Sequence, residues 1–230
     1  MAGSLFGVII TAKDQYNNTV TAFTDTASLS DLTGTISPTT TTNFITGVWN
    51  GSVQITKTHS NNKITVTAQN KAGTSSPFII DPNSLDHFEL DPIPMNQTAG
   101  NSFGITITAK DANDNTVTNF TGTASLSDLT VTIIPGITEN FASGSWSGDV
   151  TITKSLTSNR ISAASGSKTG TSNNFNVNPH VLDHFRFQTI SSPRIARQSF
   201  GITITAEDIY NNRVISFSNT VTLSDVTNTI

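Results

Sequence analysis

The chain has 230 residues, of which 12% are charged, and its formal net charge is −4. This weakly acidic balance has no basic cluster, so it gives no electrostatic reason to expect a nucleic acid or an anionic membrane as partner. The sequence has no cysteine, which excludes disulfides and thiolate metal sites, and no apolar stretch reaches the roughly 20 residues of a membrane-spanning helix.

One segment occurs three times along the chain, as FGVIITAKD, FGITITAKD and FGITITAED. The copies begin at Phe6, Phe103 and Phe200, so the spacing is 103 − 6 = 97 and 200 − 103 = 97 residues. A period of this size suits an independently folding sandwich of roughly 100 residues and is too long for a solenoid unit. We therefore predict a string of domains. Further landmarks in the same register are Leu29, Leu126 and Leu223, and Ile36, Ile133 and Ile230.

The segment LDHF, at Leu85–Phe88 and again at Leu182–Phe185, marks the beginning of a repeat. With that phase, residues 1–84 form a first module without its LDHF strand. Residues 85–181 form a complete module, and residues 182–230 form the first half of a third. The modules are separated by joints of about four residues that contain proline, which fixes a backbone dihedral and favours a stiff connection.

Within the middle repeat, apolar and polar residues alternate from Phe103 to Lys110, which is typical of a half-buried strand. Asp111–Asn115 then reads as a turn. The pattern predicts an all-β fold of tandem Ig-like sandwiches, with seven to nine short strands in each full repeat. Besides LDHF and the strand beginning at Phe103, the predicted strands are 116–118, 123–127, 131–134, 140–145, 146–154, 160–164 and 172–177.

The segment ITITAKDANDNTVTNFTGTASLSD, from Ile105 to Asp128, resembles the bacterial Ig-like repeats of invasin- and intimin-type surface proteins. The shared element is a strand that ends in Asp, a short turn, a return strand and a strand of small residues. The usual Gly-Asn of the turn is Asn17-Asn18, Asp114-Asn115 and Asn211-Asn212 here. The turn is also similar to that of filamin-type repeats. The resemblance implies an extracellular or cell-surface module, used as a spacer, an adhesin stalk, or a surface-layer or filament subunit.

An aspartate follows the same strand in each copy, at Asp14, Asp111 and Asp208. One interpretation is a calcium site with Asp111 and Asp114 as ligands, but calcium takes six to eight oxygens and only Asp114 adds a nearby carboxylate. The other interpretation is an Asx-type turn, in which the aspartate accepts backbone N–H bonds. We expect the turn, with no metal and no cofactor. The same choice applies to a second recurring set, which comprises Asp31, Asp128 and Asp225.

Other recurring side chains have weaker functional interpretations. His87 and His184 each lie beside one acidic residue, which is too few ligands for a metal. Trp49 and Trp146 are expected to fill a sandwich core rather than to stack on a sugar. For Lys154, an isopeptide crosslink to an asparagine is an interpretation that the sequence leaves undecided. The sequence contains no paired-carboxylate motif, Ser-His elbow, P-loop or HExxH motif, so we expect no enzyme.

Both ends of the chain are out of phase with the repeats, which leaves two explanations. The half-module has unpaired strand edges, so Leu182, Asp183, His184 and Phe185 are candidates for strand exchange between chains. Alternatively, the chain is a segment of a longer array. We expect a non-catalytic structural or adhesive protein whose partners are other copies, adjacent repeats, or a cell-surface glycan or protein. The alternative is a set of ligand- or glycan-binding spacer modules of a large secreted enzyme.

Overall fold

The computed structural model describes residues 1–227, and this part of the chain is built from strands and turns without a helix. The predicted all-β class is therefore confirmed. Ile230, one of the residues predicted to lie in register, is outside the described residues. Since residues 1–227 contain no helix, none of sufficient length and apolarity to cross a membrane is found there.

The first segment, residues 1–84, contains eight short strands in three small antiparallel sheets. They are β1 (Leu5–Thr11), β2 (Ser28–Asp31), β3 (Ile36–Ser37), β4 (Val48–Ile55), β5 (His59–Asn62), β6 (Ile64–Ala68), β7 (Lys71–Thr74) and β8 (Phe78–Ile80). The strand orders are β1-β4-β3, β2-β6-β7 and β5-β8.

The second segment, residues 85–181, repeats these eight strands and adds two before them. Its strands are β9 (His87–Leu90), β10 (Asn96–Thr98), β11 (Ser102–Lys110), β12 (Ser125–Asp128), β13 (Ile133–Ile134), β14 (Ser145–Ile152), β15 (Leu156–Asn159), β16 (Ile161–Ser165), β17 (Lys168–Thr171) and β18 (Phe175–Asn178). The sheet orders are β13-β14-β11-β9, β12-β16-β17 and β10-β18-β15. The pair β10 and β18 is parallel, and the others are antiparallel.

The ten strands of the second segment exceed the seven to nine that the sequence predicts. The strands β10, β15 and β17 have the sequences NQT, LTSN and KTGT, which lack the alternation of apolar and polar residues. Neighbouring strands, rather than their own pattern, place them in a sheet. Conversely, the predicted strands at 116–118 and 140–145 are turns with isolated bridges, such as Lys110 to Thr116.

Equivalent strands of the two segments have equivalent positions and registers. β2 begins at Ser28 and β12 at Ser125, and 125 − 28 = 97. β1 pairs with β4 so that Ile10 faces Trp49, just as Ile107 of β11 faces Trp146 of β14. The two segments therefore share one architecture.

The apolar core of the second segment contains side chains from all three of its sheets. Ile107 and Ala109 of β11 are fully buried, whereas the intervening Thr108 is partly exposed. Trp146 is 8% exposed and Trp49 is 5% exposed, so the predicted core role of the tryptophans is confirmed. Burial of each isoleucine-sized side chain contributes roughly 1.5–3 kcal/mol.

An aspartate ends β2 and the equivalent strand β12, where Asp31 is partly buried and Asp128 is buried. Asp128 accepts hydrogen bonds from three backbone N–H groups of the following turn, from the Thr130 hydroxyl and from Asn159 Nδ2 at 2.9 Å. Asp31 has the same arrangement with Asn62. Burial raises the pKa of Asp128, but the hydrogen bonds from Thr130 and Asn159 lower it more, so its pKa lies below its ordinary value.

The third segment is described to residue 227 and contains β19 (His184–Phe187) and β20 (Ile204–Glu207). They pair antiparallel, with Phe185 facing Ala206. This register matches that of β9 and β11, where Phe88 faces Ala109.

Acid should destabilise the chain partly through Asp128. A carboxyl group whose folded pKa is lowered stabilises the protein above its unfolded pKa, and this contribution is lost as the pH falls through the folded pKa. We expect Asp128→Asn to cost about 1–3 kcal/mol at pH 7, since buried donors lose a charged acceptor. The variant should then lose less stability than the wild type between about pH 5 and pH 2.

Urea unfolding followed by circular dichroism at a series of pH values measures both effects. The control is Asp149→Asn, which changes an exposed carboxylate on the neighbouring sheet. An Asp128→Asn variant with the full pH dependence of the wild type would contradict this assignment.

Candidate functional site: the joints between repeats

The turn after β11 is organised by the carboxylate of Asp111. Its Oδ1 accepts the backbone N–H of Asn113 at 2.9 Å and that of Asn115 at 3.0 Å, and the Asn115 side-chain amide donates to the same carboxylate. Asp114 has a φ of 59°, a left-handed conformation that Asn and Asp adopt more readily than most residues. This is the geometry of an Asx-type turn.

The same two side chains bind the preceding repeat. Asn115 Nδ2 donates to the carbonyl oxygen of Thr56 at 2.8 Å, and Asn115 Oδ1 accepts the N–H of Thr58 at 3.0 Å. Asp111 Oδ2 accepts the N–H of Asn83 at 2.9 Å. Asp111 is fully buried and Asn115 is 4% exposed. The turn thus forms a buried polar contact between two repeats, and the bonds that these two side chains make to the preceding repeat all end on backbone atoms.

The joint between the second and third repeats uses the equivalent atoms. Asn212 Nδ2 donates to the carbonyl oxygen of Thr153 at 2.8 Å, and Ser155 N–H donates to Asn212 Oδ1 at 2.9 Å. His180 N–H donates to Asp208 Oδ2 at 2.7 Å. Each residue lies 97 positions after its counterpart, as in 212 − 115 = 97. Because the partners are backbone groups, replacement of Thr58 by Ser155 and of Asn83 by His180 leaves the contact unchanged.

A lysine adds a further bond at each joint. Lys57 Nζ donates to the carbonyl oxygen of Asn113 at 2.6 Å, and Lys154 Nζ donates to that of Asn211 at 3.3 Å. Both bonds lie at the exposed edge of the joint. Lys154 therefore contacts a backbone carbonyl of the next repeat, rather than the buried asparagine and carboxylic acid that an isopeptide crosslink needs.

Two glycines allow the repeats to approach closely. Gly3 and Gly100 have φ values of 75° and 80°, which favour glycine. A Cβ atom on Gly100 would collide with the ring of Tyr210 in the next repeat, and one on Gly3 would lie 2.6 Å from Asn113 Nδ2. Close backbone approach is therefore part of both joints.

The carboxylates of the joints are held in the ionised form. Burial raises the pKa of Asp111, but N–H bonds from Asn83 and Asn115 outweigh it and lower the pKa below its ordinary value. The pKa of Asp208 is lowered in the same way: burial raises it, and hydrogen bonds, chiefly from Asn212, lower it more. Each buried charge is thus stabilised by hydrogen bonds.

The first repeat contains the same turn without a neighbouring repeat against it. Asp14 Oδ1 accepts the N–H groups of Tyr16 and Asn18, and Asn18 Nδ2 donates to Asp14 Oδ2 at 3.1 Å. The hydrogen bond from the Asn18 side chain is the main cause that lowers the pKa of Asp14. Both residues are exposed. The turn therefore keeps its shape without the contact, which makes it an internal reference for the two joints.

The two calcium candidates have different surroundings. Both oxygens of Asp111 accept N–H bonds, whereas the Asp114 side chain is 76% exposed and lies 3.5 Å from His87 Nε2. Across residues 1–227, no group of three or more His, Cys, Asp or Glu side chains is placed to hold a metal ion. The predicted independence from metals stays a prediction.

The proposed exchange strand is seated in its own repeat. Leu182 and Asp183 precede β19, and His184 and Phe185 begin it. Phe185 is 39% exposed, whereas its counterpart Phe88 is 3% exposed. The difference arises because Phe88 packs against two further phenylalanine rings, and Phe185 packs against only one among the described residues.

A groove opens in the first repeat at the position that β9 occupies in the second. It has a volume of about 420 Å³ and is lined by residues of β1, β6, β7 and nearby turns. Ala12 and Phe44 in its wall correspond to Ala109 and Phe141, which contact Phe88 in the second repeat. The groove therefore has the lining of a β9 site.

No protein-family model and no curated protein matches the chain. Among solved structures it is similar to the Escherichia coli adhesin FdeC, with 20% identity and a TM-score of 0.45 over 94% of this chain and 72% of that one. It is similar to invasin, a bacterial integrin-binding protein, with 15% identity and a TM-score of 0.34 over 94% of this chain and 48% of that one. It is also similar to domains 4–9 of the surface-layer protein SbsC, with 18% identity and a TM-score of 0.33 over 95% of this chain and 34% of that one. The chain thus spans about a third of the length of the SbsC fragment and about half of the length of invasin.

Removal of the Asn115 side chain should loosen the first joint without unfolding either repeat. Asn115→Ala leaves backbone groups of Thr56 and Thr58 without their partner, at a cost of about 1–3 kcal/mol. Because the sequence has no cysteine, spin labels on Thr39→Cys and Ser167→Cys report the distance between two exposed sites in different repeats. We expect the distance distribution to broaden.

The matched control is Asn18→Ala, which removes the equivalent side chain from a turn that contacts no neighbouring repeat. It should leave the distribution as narrow as in the wild type. Equal distributions for Asn115→Ala and the wild type would show that this contact does not orient the repeats.

Proposed function

We propose that the chain is a segment of a non-catalytic extracellular stalk or filament, in which successive sandwiches are held in a fixed orientation. The supporting observation is the joint itself, because Asn115 and Asn212 make the same pair of backbone bonds at both junctions. A flexible linker would leave neighbouring domains free to rotate. A buried carboxylate and amide on each short joint oppose that rotation, so an array of such repeats forms a stiff rod.

The proposed location is the cell surface or the extracellular space. A Thr- and Asn-rich chain with 12% charged residues suits an exposed β-rich rod, and the similar chains include an adhesin and a surface-layer protein. The proposed module boundaries lie after residues 84 and 181, and they fit this role. Just before each boundary, a backbone N–H, that of Asn83 or His180, donates to the buried aspartate of the next repeat. The proposed partners are adjacent repeats and further copies, with a cell-surface glycan or protein as the target of an adhesin.

A second candidate function is assembly of chains by strand exchange. Two observations favour it, namely the open groove of the first repeat and the half-exposed Phe185. In this arrangement the segment Leu182–Phe185 of one chain leaves β20 and enters the groove of another. Such a head-to-tail contact does not close on itself, so it would grow into a fibre.

The rod is tested by small-angle X-ray scattering of the full chain. We expect one extended conformation to fit the wild-type curve, while Asn115→Ala combined with Asn212→Ala requires an ensemble of bent shapes. Asn18→Ala serves as the control because its turn lies outside the joints. Wild-type scattering that itself requires freely rotating domains would refute the rod.

Strand exchange is tested by deletion of residues 182–230, followed by light scattering and electron microscopy. If exchange builds fibres, the deletion should abolish them while far-UV circular dichroism still shows folded β-structure. Fibres that form equally well without this segment would refute exchange through β19.

A further inference from the structure

The turn between β12 and β13 holds a valine in a conformation that valine seldom adopts. Val131 has a φ of 58°, in the left-handed region, which is unfavourable for a β-branched residue. Asp128 imposes this conformation, because its carboxylate accepts the backbone N–H groups on either side of the valine and its carbonyl oxygen accepts the valine N–H at 3.0 Å. At the equivalent sequence positions the other copies have Gly34 and Asn228, residue types that tolerate a left-handed backbone.

Packing within the repeat does not compensate for this strain. The side chain of Val131 is 84% exposed, so it contributes almost nothing to the core. Strained backbone is characteristic of sites that contact other molecules, and so is exposed apolar surface. The valine therefore has the character of a contact residue.

Val131 belongs to an exposed apolar surface on a single loop. Leu129, Ile134 and Ile137 are 52%, 63% and 57% exposed. Residues 129–138 contain no charged side chain. We call the four residues Leu129, Val131, Ile134 and Ile137 the apolar stripe.

The apolar stripe runs along one edge of the sandwich. β12 is an edge strand of one sheet, and β13 is an edge strand of another. After β13 the chain returns beside β12, where Leu126 N–H donates to the carbonyl oxygen of Gly136 at 2.9 Å and Thr138 N–H donates to that of Ala124 at 2.8 Å. The loop thus joins the edges of two sheets and presents aliphatic side chains outward.

The first repeat has the same loop without the apolar stripe. Gly34, Ser37 and Thr40 stand where the second repeat has a valine and two isoleucines, each 97 positions later, as in 131 − 34 = 97. All three are exposed, although a complete repeat follows the first one. Neighbouring repeats therefore leave this edge open, and only its apolar character is particular to the second repeat.

We propose that the apolar stripe binds the same stripe of a second copy of this chain, so that two rods lie side by side. The net charge of the chain is −4, and two acidic chains approach most readily where their surfaces carry no charge. A stripe paired with itself also leaves no charge opposite an aliphatic side chain. Pairing of identical patches about a twofold axis is the commonest form of self-association.

The size of the apolar stripe sets the strength of this contact. Four aliphatic side chains, each more than half exposed, amount to about half of the roughly 800 Å² that each partner buries in a standard interface. The contact is therefore weak between two single chains, and it becomes strong when several such contacts act together.

This inference rests on the proposed role of the chain as a segment of a rod or filament, and it names the surface through which copies associate. Its failure is separable from failure of the rod. The Asn115 and Asn212 variants loosen the joints and leave the apolar stripe intact, whereas substitutions in the stripe leave the contacts of the joints in place.

The first test is analytical ultracentrifugation of the full chain up to millimolar concentration. We expect reversible dimerisation, which salt strengthens because it screens the repulsion between acidic chains. The triple variant Val131→Gly, Ile134→Ser, Ile137→Thr gives the second repeat the residues of the first. It should weaken dimerisation about tenfold or more, since most of the apolar contact is lost. Leu32→Ser, which removes an exposed leucine from the first repeat, is the matched control and should leave dimerisation unchanged.

Val131→Asn separates a role in contact from a role in folding. Asparagine tolerates the left-handed conformation, so the monomeric variant should melt a few degrees higher than the wild type while it dimerises less tightly. Thermal unfolding at low concentration measures the first effect, and ultracentrifugation measures the second. A variant that melts lower and dimerises as tightly as the wild type would assign Val131 to folding alone and overturn its role in contact.

Spin labels on single introduced cysteines locate the contact. Ser127→Cys lies on β12 beside the apolar stripe, and Ser167→Cys lies between β16 and β17 at the opposite edge of the same sheet. Twofold pairing through the stripe predicts a short distance between two Ser127 labels and a long distance between two Ser167 labels. The proposal would be overturned by a wild-type chain that stays monomeric at millimolar concentration, by dimerisation that the triple variant does not weaken, or by a short distance at Ser167 alone.

Discussion

The structure depends on the contact between one asparagine amide and the backbone of the neighbouring repeat. Asn115 presents a donor and an acceptor side by side, and these match the carbonyl oxygen of Thr56 and the N–H of Thr58. A carboxylate at this position could accept but not donate, and a longer side chain would lose more rotamer freedom on binding. Asp111 makes the contact possible, because its carboxylate fixes the turn and aligns the amide.

This arrangement explains how repeats can diverge in sequence and keep their mutual orientation. At the contact with the Asp and Asn of the turn the neighbour contributes backbone atoms, so the side chains at those positions can change, as with Asn83 and His180. What the joint requires are the Asp and Asn of the turn and a small residue opposite it, such as Gly100. A rod built in this way tolerates substitution over most of its surface and is sensitive at a few positions in each repeat.

Charge provides a second level of specificity within the shared fold. The pair Lys110–Glu89 and the pair Glu207–Arg186 occupy equivalent places on two repeats, with the signs exchanged. Each first strand is therefore matched to its own repeat and mismatched to the other. In a chain of modules that share one fold, such reversal opposes the pairing of a strand with the wrong module, because the attractive pair becomes a repulsive one.

The sequence by itself determined the repeat, the all-β class, the buried tryptophans and the Asx-type turn at Asp111, because these depend on local periodicity and on side chains a few residues apart. It did not reveal β10, β15 and β17, whose polar sequences become strands only when a neighbouring strand supplies backbone partners. The sequence predicted where the joints lie but not the polar contact that they contain, although an asparagine stands four residues after the aspartate in all three copies. The partners of Asn115 are backbone groups 57 and 59 positions away, and a backbone group has the same chemistry in every residue except proline. Only the tertiary structure decides which of them the amide meets.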